Sequence, residues 1–266
     1  MIKLVVTDLD GTFLNNQGSF NNELFNEVHE EMQKKGITFV ACTGKQCERV
    51  EKLFGNHGKG IWILGDSAAR IKKDGKVVKE FSIDRTLVLR AIEEIQGFDP
   101  QMTIIVCASD AAYVHSSISD DMYNVVKGSY EQVIKVDSFS EIESDFIKIT
   151  VFDTEGRSTM LRKHVEQTLN GQIYIVDSEA RWLDITALHT HKGETVKKLQ
   201  DMLGVTAEET MSFGDGENDV ELMTIAKYSF AVSNACENTK KAASFITKSN
   251  EENGVLITIQ KMMDLQ

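Results

Sequence analysis

Apolar positions fall into short continuous runs and helical stripes, and the two alternate at both ends of the chain. Residues 2–7 form an apolar run that stops at an aspartate and predict a buried strand. Over 22–35, Leu24, Phe25, Val28 and Met32 recur near helical spacing and Gly36 is the stop, which predicts a helix. The runs 37–42 and 60–64 predict two more buried strands, with a helix over 46–54 between them. Residues 71–81 predict a hairpin turning at Asp74-Gly75.

The final third repeats the pattern. Helices are expected over 194–203 (closed by Gly204), 217–225, 238–243 and 255–263, and strands over 210–213, 228–232 and 245–247. Such alternation implies a mainly parallel sheet with helices on both faces. The middle reads differently. Helices over 87–95 and 157–169 accompany strands over 103–108, 112–116 and 146–152 and a second hairpin, 172–176 with 181–186. The fold class expected is therefore α/β: a doubly wound, Rossmann-like parallel-sheet core from 1–83 and 188–266, carrying an α+β insert over 84–187.

Composition narrows the class. The 266 residues are 41% hydrophobic and 26% charged, which is ordinary for a globular protein. A net charge of −12 argues against nucleic acid and anionic membranes as partners, since both call for a basic footprint. No apolar stretch is long enough to span a bilayer, and no charged segment followed by a long apolar core marks a signal peptide. Cys42, Cys47, Cys107 and Cys236 are scattered, without a Cys-x-x-Cys pair, and read as reduced thiols of a cytoplasmic protein.

The chemistry concentrates at predicted strand ends. Asp8-Leu9-Asp10-Gly11-Thr12 follows the first strand. Residues two apart share a strand face, so Asp8 and Asp10 leave it on one side, where Gly11 permits a sharp turn. Paired carboxylates repel unless a cation or a shared proton intervenes. Thr43-Gly44-Lys45 ends the second strand ahead of a helix, where a hydroxyl and backbone N–H groups make an anion site or, equally, a simple helix cap. Lys192-Gly193 opens the helix after the insert. Gly214-Asp215-Gly216-Glu217-Asn218-Asp219 forms a dense acidic cluster with too few alternating oxygens for a calcium loop.

In this order and spacing, these four motifs resemble the haloacid dehalogenase superfamily, and within it the Cof-like sugar phosphatases, over nearly the whole chain. The resemblance implies a phosphoric monoester hydrolase acting on a small phosphorylated metabolite, a sugar phosphate, through an aspartyl-phosphate. Asp8 is then the nucleophile and Asp10 the acid and base. Thr43, Gly44, Lys192 and Asn218 hold the phosphate. Mg²⁺ sits on Asp8, Asp215 and the backbone carbonyl of Asp10, with Asp219 close behind, and the insert acts as a cap. Two other readings stand beside it: a phosphomutase of the phosphomannomutase type on the same fold, and a phosphate-accepting signalling protein without turnover. The chain departs from the subgroup pattern in three places. Lys45 stands where arginine is usual; Ser67-Ala68-Ala69, after Gly65-Asp66, replaces Asn-Gly-Ala; and Asp184-Ile185-Thr186-Ala187 replaces Glu-x-x-Pro. His189 and His191 beside Lys192 read as packing residues, with a second metal site the lesser alternative.

Overall fold

The computed structural model describes residues 1–179 and 181–266. The chain opens with β1 (Leu4–Thr7), whose four residues are all buried. Helix α1 (Asn22–Lys34) is capped by the Asn21 side chain, which accepts from the Leu24 N–H, and it turns Phe25, Val28 and Met32 inward. Next come β2 (Thr38–Cys42), α2 (Cys47–Phe54), β3 (Trp62–Gly65), β4 (Arg70–Lys73) and β5 (Lys76–Glu80). The β4–β5 turn is at Asp74-Gly75, both with positive φ, the backbone that two-residue hairpins favour.

A second group of elements follows: α3 (Arg85–Phe98), β6 (Thr103–Ala108), β7 (Ala112–His115), α4 (Asp120–Ser129), β8 (Val133–Val136), β9 (Phe146–Phe152), α5 (Ser158–Leu169), β10 (Ile173–Glu179) and β11 (Trp182–Ala187). The chain then returns to the first layer through α6 (Lys192–Leu203), β12 (Thr210–Gly214), α7 (Val220–Thr224), β13 (Tyr228–Val232), α8 (Glu237–Ala242), β14 (Phe245–Thr247) and α9 (Gly254–Asp264).

The larger sheet has the order β14-β13-β12-β1-β2-β3-β4-β5, parallel from β14 to β3 and antiparallel beyond. Its connections run outward from β1 in both directions, to β2 and β3 on one side and β12 to β14 on the other. The carboxyl end of β1 is therefore the switch point, where open α/β sheets leave a crevice for ligands. Two hydrophobic clusters cover the faces, one around Phe13, Phe25, Phe39 and Phe54 and one around Leu4, Val40, Leu199 and Leu222.

The smaller sheet has the order β10-β11-β9-β6-β7-β8 and is antiparallel except for β7–β8. Along β9, Ile149 and Val151 pack under α3 and α5. The alternate residues, Lys148 and Thr150, lie on the opposite face, beside Asp184 of β11.

Some details differ from the sequence reading. Helix α4 and strand β8 have no counterpart in it. The expected helix over 217–225 is a 3₁₀ turn, Glu217–Asp219, followed by the short α7. The cause is Asp219, whose carboxylate turns back to accept from the N–H groups of Asp215 and Gly216.

Candidate active site

The carboxyl end of β1 delivers Asp8 into a buried position, with its own N–H bonded to the Phe213 carbonyl of the neighbouring strand. Gly11 has φ +78°, and a Cβ there would lie 2.4 Å from Asp215 Oδ2. Only glycine lets the chain turn so close to that carboxylate. One residue on, Thr12 Oγ1 donates to Asp215 Oδ1 at 2.7 Å and fixes it.

Lys192, the first residue of α6, is buried, and its Nζ lies 2.6 Å from both Asp8 Oδ1 and Asp219 Oδ1. Burial alone would pull the ammonium down, but Asp219 and Asp8 hold it well above its ordinary range. Carboxylate oxygens of Asp8, Asp215 and Asp219 lie within 4.8 Å of one another. One ammonium against three carboxylates leaves an excess of negative charge. Burial first, and then the neighbouring acids, raise Asp8 well above the usual carboxylate range despite Lys192. Asp215 is raised for the same first reason, against the Thr12 hydrogen bond. A cluster of oxygen donors with this strain fits a hard divalent cation, which relieves the repulsion and favours oxygen ligands.

Asp10 stands apart from the cluster. Its side chain is 44% exposed and pairs with Lys45 Nζ at 2.8 Å. Thr43 does not cap the helix: α2 begins behind Gln46, and Thr43 Oγ1 accepts from the Lys45 N–H at 3.2 Å, closing a small turn. A cavity of about 550 Å³ joins these groups. Asp8, Asp10, Thr43, Gly44, Asp215 and Asn218 line its floor, and Tyr130, Lys148, Thr150, Trp182 and Asp184 of the second group line its roof.

All the site residues expected from sequence thus border one cavity or the buried cluster beneath it. Sequence reasoning missed the Lys45–Asp10 pair, the Thr12 buttress and the roof. A signal for the roof was present: Lys148 and Thr150 are polar alternates in an otherwise apolar strand. His191 stacks on Tyr174 with ring centroids 4.8 Å apart, a packing role. Among the described residues, the three-aspartate group is the one acidic, histidine or cysteine cluster able to hold a metal, and neither His189 nor His191 belongs to it.

A doubly wound sheet thus carries an acidic cluster and a buried lysine at its switch point, under an α+β layer inserted between β5 and α6. The chain belongs to the haloacid dehalogenase-like hydrolases, whose family model matches residues 5–259. It is 28% identical over 262 residues to the Escherichia coli 5-amino-6-(5-phospho-D-ribitylamino)uracil phosphatase YbjI, covering 98% of this chain and 96% of the relative. The crystal structure of SMU.1108c from Streptococcus mutans matches with a TM-score of 0.93 and 28% identity, over 99% of this chain and 100% of that one. The haloacid dehalogenase subclass IIB sugar phosphatase BT4131 shares the fold, with a TM-score of 0.81 at 21% identity over 98% of both chains. The protein is accordingly a phosphoric monoester hydrolase acting on a phosphorylated substrate. Among the described residues, no helix is long and apolar enough to cross a membrane.

Proposed function

We propose that the protein is a Mg²⁺-dependent phosphatase of a small phosphorylated polyol or sugar, working through an aspartyl-phosphate on Asp8. The observation that carries this reading is the trio Asp8, Asp215 and Asp219 around the buried Lys192, with Asp8 and Asp215 on the floor of the cavity and Asp219 and Lys192 beneath it. Asp8, Asp215 and the backbone carbonyl of Asp10 would hold Mg²⁺, with Asp219 bracing them; when bound, the ion offsets the charge between an anionic nucleophile and an anionic phosphate.

A carboxylate oxygen of Asp8 attacks phosphorus, and the bond from phosphorus to the ester oxygen breaks. Asp10, the exposed partner, gives its proton to the departing oxygen. It then takes one from the water that attacks phosphorus and releases inorganic phosphate and free Asp8. Thr43, Gly44 and Asn218 hold the phosphoryl oxygens, and Lys192 orients Asp8 and offsets negative charge. Residues 84–187 serve as a cap over the core of 1–83 and 188–266, shielding the site from water. The hydroxyls and carboxylate of the roof, with one indole, suit a hydroxylated leaving group, in line with the ribityl phosphate named for the E. coli relative. We place the enzyme in the cytoplasm, where thiols such as Cys42 stay reduced.

The test is phosphate release from a panel of sugar phosphates, nucleotides, 5-amino-6-(5-phospho-D-ribitylamino)uracil and p-nitrophenyl phosphate, with Mg²⁺ and with a chelator. Release that needs Mg²⁺ and peaks on a polyol or sugar phosphate supports the reading. Release unaffected by chelation refutes the metal dependence, and a preference for nucleotides refutes the substrate class.

A further inference from the structure

The roof of the cavity does more than enclose it. Lys148, on β9 and 2% exposed, donates from Nζ to the Gly44 carbonyl at 3.0 Å, to Asp184 Oδ2 at 3.2 Å and to Ser67 Oγ at 3.4 Å. An ammonium has three protons, so its capacity is filled. Asp184 is fixed in turn. Its Oδ1 accepts from Thr150 Oγ1 at 2.7 Å and its Oδ2 from Ser67 Oγ, while Tyr130 OH donates to Thr150 Oγ1 at 3.2 Å. Burial alone would lower the Lys148 ammonium, but its neighbours together, Asp184 first among them and Asp66 after it, hold it above its ordinary range.

The groups on the core side belong to the phosphate turn and its support. Asp66, Ser67 and Ala68 all have φ between 54° and 64°, a left-handed run without glycine. Side-chain-bearing residues adopt that backbone only when the surroundings impose it. Here the Asp66 N–H donates to the Lys45 carbonyl at 2.7 Å, and Ser67 meets Asp184. Within the turn, the Thr43 N–H is bonded to the Leu64 carbonyl and the Lys45 N–H to Thr43 Oγ1. The Gly44 carbonyl, on the same peptide unit as the Lys45 N–H, is held by Lys148 from the other layer. The turn is therefore completed by a residue its own layer lacks.

We propose that Lys148, aimed by Asp184, is a positioning residue of the phosphate seat: by gripping the Gly44 carbonyl it gives the 43–45 turn its working shape only when the cap is down. This rests on the reading that the 43–45 turn holds the phosphoryl group. It makes cap seating and phosphate binding one event, so an open cap leaves a poorer seat. A carbonyl grip also differs in kind from a lysine that merely attracts phosphate as a point charge, and the two give opposite signs for one substitution. Removing the Asp184 charge helps an anion if Lys148 acts as a point charge. It harms the anion if Asp184 is needed to aim Lys148 at Gly44.

The experiment measures inhibition of p-nitrophenyl phosphate turnover by inorganic phosphate, which has no leaving group and so reports the seat alone. Wild type is compared with Lys148→Met, Asp184→Asn and Ser67→Ala, each checked for its melting transition. Lys148→Met and Asp184→Asn should each weaken phosphate inhibition by about tenfold or more, the loss of one charge-assisted hydrogen bond. Ser67→Ala should weaken it severalfold, and it carries the test if Asp184→Asn does not fold. Unchanged or tighter phosphate inhibition in Asp184→Asn, or in Ser67→Ala where that variant carries the test, overturns the proposal while wild-type turnover leaves the phosphatase reading standing. A wild type that releases no phosphate from any ester overturns that reading, and this proposal with it.

Discussion

Lys192 Nζ stands 2.6 Å from Asp8 Oδ1, and both residues are buried. The same ammonium reaches Asp219 at equal distance, so one cation ties the strand end of β1 to the turn after β12. Lys192→Met leaves buried carboxylates without their counter-charge. In metal-free protein this should cost about 3–5 kcal/mol of stability, because the uncompensated charges remain buried. Turnover should fall by about 10³-fold, the scale for losing a preorganised charge at a reacting centre. Melting and turnover measured with and without Mg²⁺ check this: the ion should restore part of the stability and none of the rate.

Gly214 leaves no room for a side chain. A Cβ there would lie 2.5 Å from Asp219 Cβ and 2.7 Å from its Cγ. Gly214→Ala should displace the carboxylate that holds Lys192, lowering kcat by about 100-fold for a shift near 1 Å. It should also destabilise the fold by about 1–3 kcal/mol from overpacking. Steady-state kinetics and a urea titration decide it; a variant with wild-type kcat would mean that the position of Asp219 is irrelevant to the reaction.

The crowded carboxylates should make Mg²⁺ a stabilising ligand. At a hundred times its dissociation constant, the ion should raise stability by about 2.7 kcal/mol. The rise should shrink in Asp215→Asn, which removes one charge from the trio. Thermal denaturation across a Mg²⁺ series measures this, and a melting temperature indifferent to Mg²⁺ would argue against the site.

Away from the site, Glu209 offers a prediction with a definite sign. Lys3 lies 2.6 Å away, and with the Thr206 N–H and hydroxyl it holds the Glu209 carboxyl down from the ordinary 4.5 to about 2. A depressed carboxyl stabilises the fold fully above its unfolded value, and that contribution is lost as pH falls through the folded one. Glu209→Gln should therefore melt slightly below wild type at neutral pH. The gap should close as pH falls from about 4.5 to about 2, as calorimetry over that range would show.

The core of the fold was legible because its signals are local. The run ending at Asp8 is continuous and apolar since β1 is buried on both faces, and Gly36 and Gly204 stop their helices at the expected places. Asp8, Asp10, Thr43, Lys192 and Asp215 lie in short motifs beside strand ends or helix starts. What escaped has weak or distant signals. Helix α4 fully buries only Val126 along its length, and β8 is a half-exposed edge strand, so neither carries a strong period. The 3₁₀ turn at 217–219 depends on where the Asp219 carboxylate points, which propensity does not encode. Lys148 and Asp184 are 36 residues apart and meet Ser67 and Gly44 only after two layers have packed together.

The most direct test of the account is to find the phosphoryl group on the chain. Wild type and Asp10→Ala are mixed with isotopically labelled substrate and Mg²⁺, quenched in acid, digested and mapped by mass spectrometry. The account predicts label on Asp8, more of it in Asp10→Ala because the water step is slowed, and none in Asp8→Asn, which should also release no phosphate. Steady phosphate release by Asp8→Asn, or label on a residue other than Asp8, would contradict it.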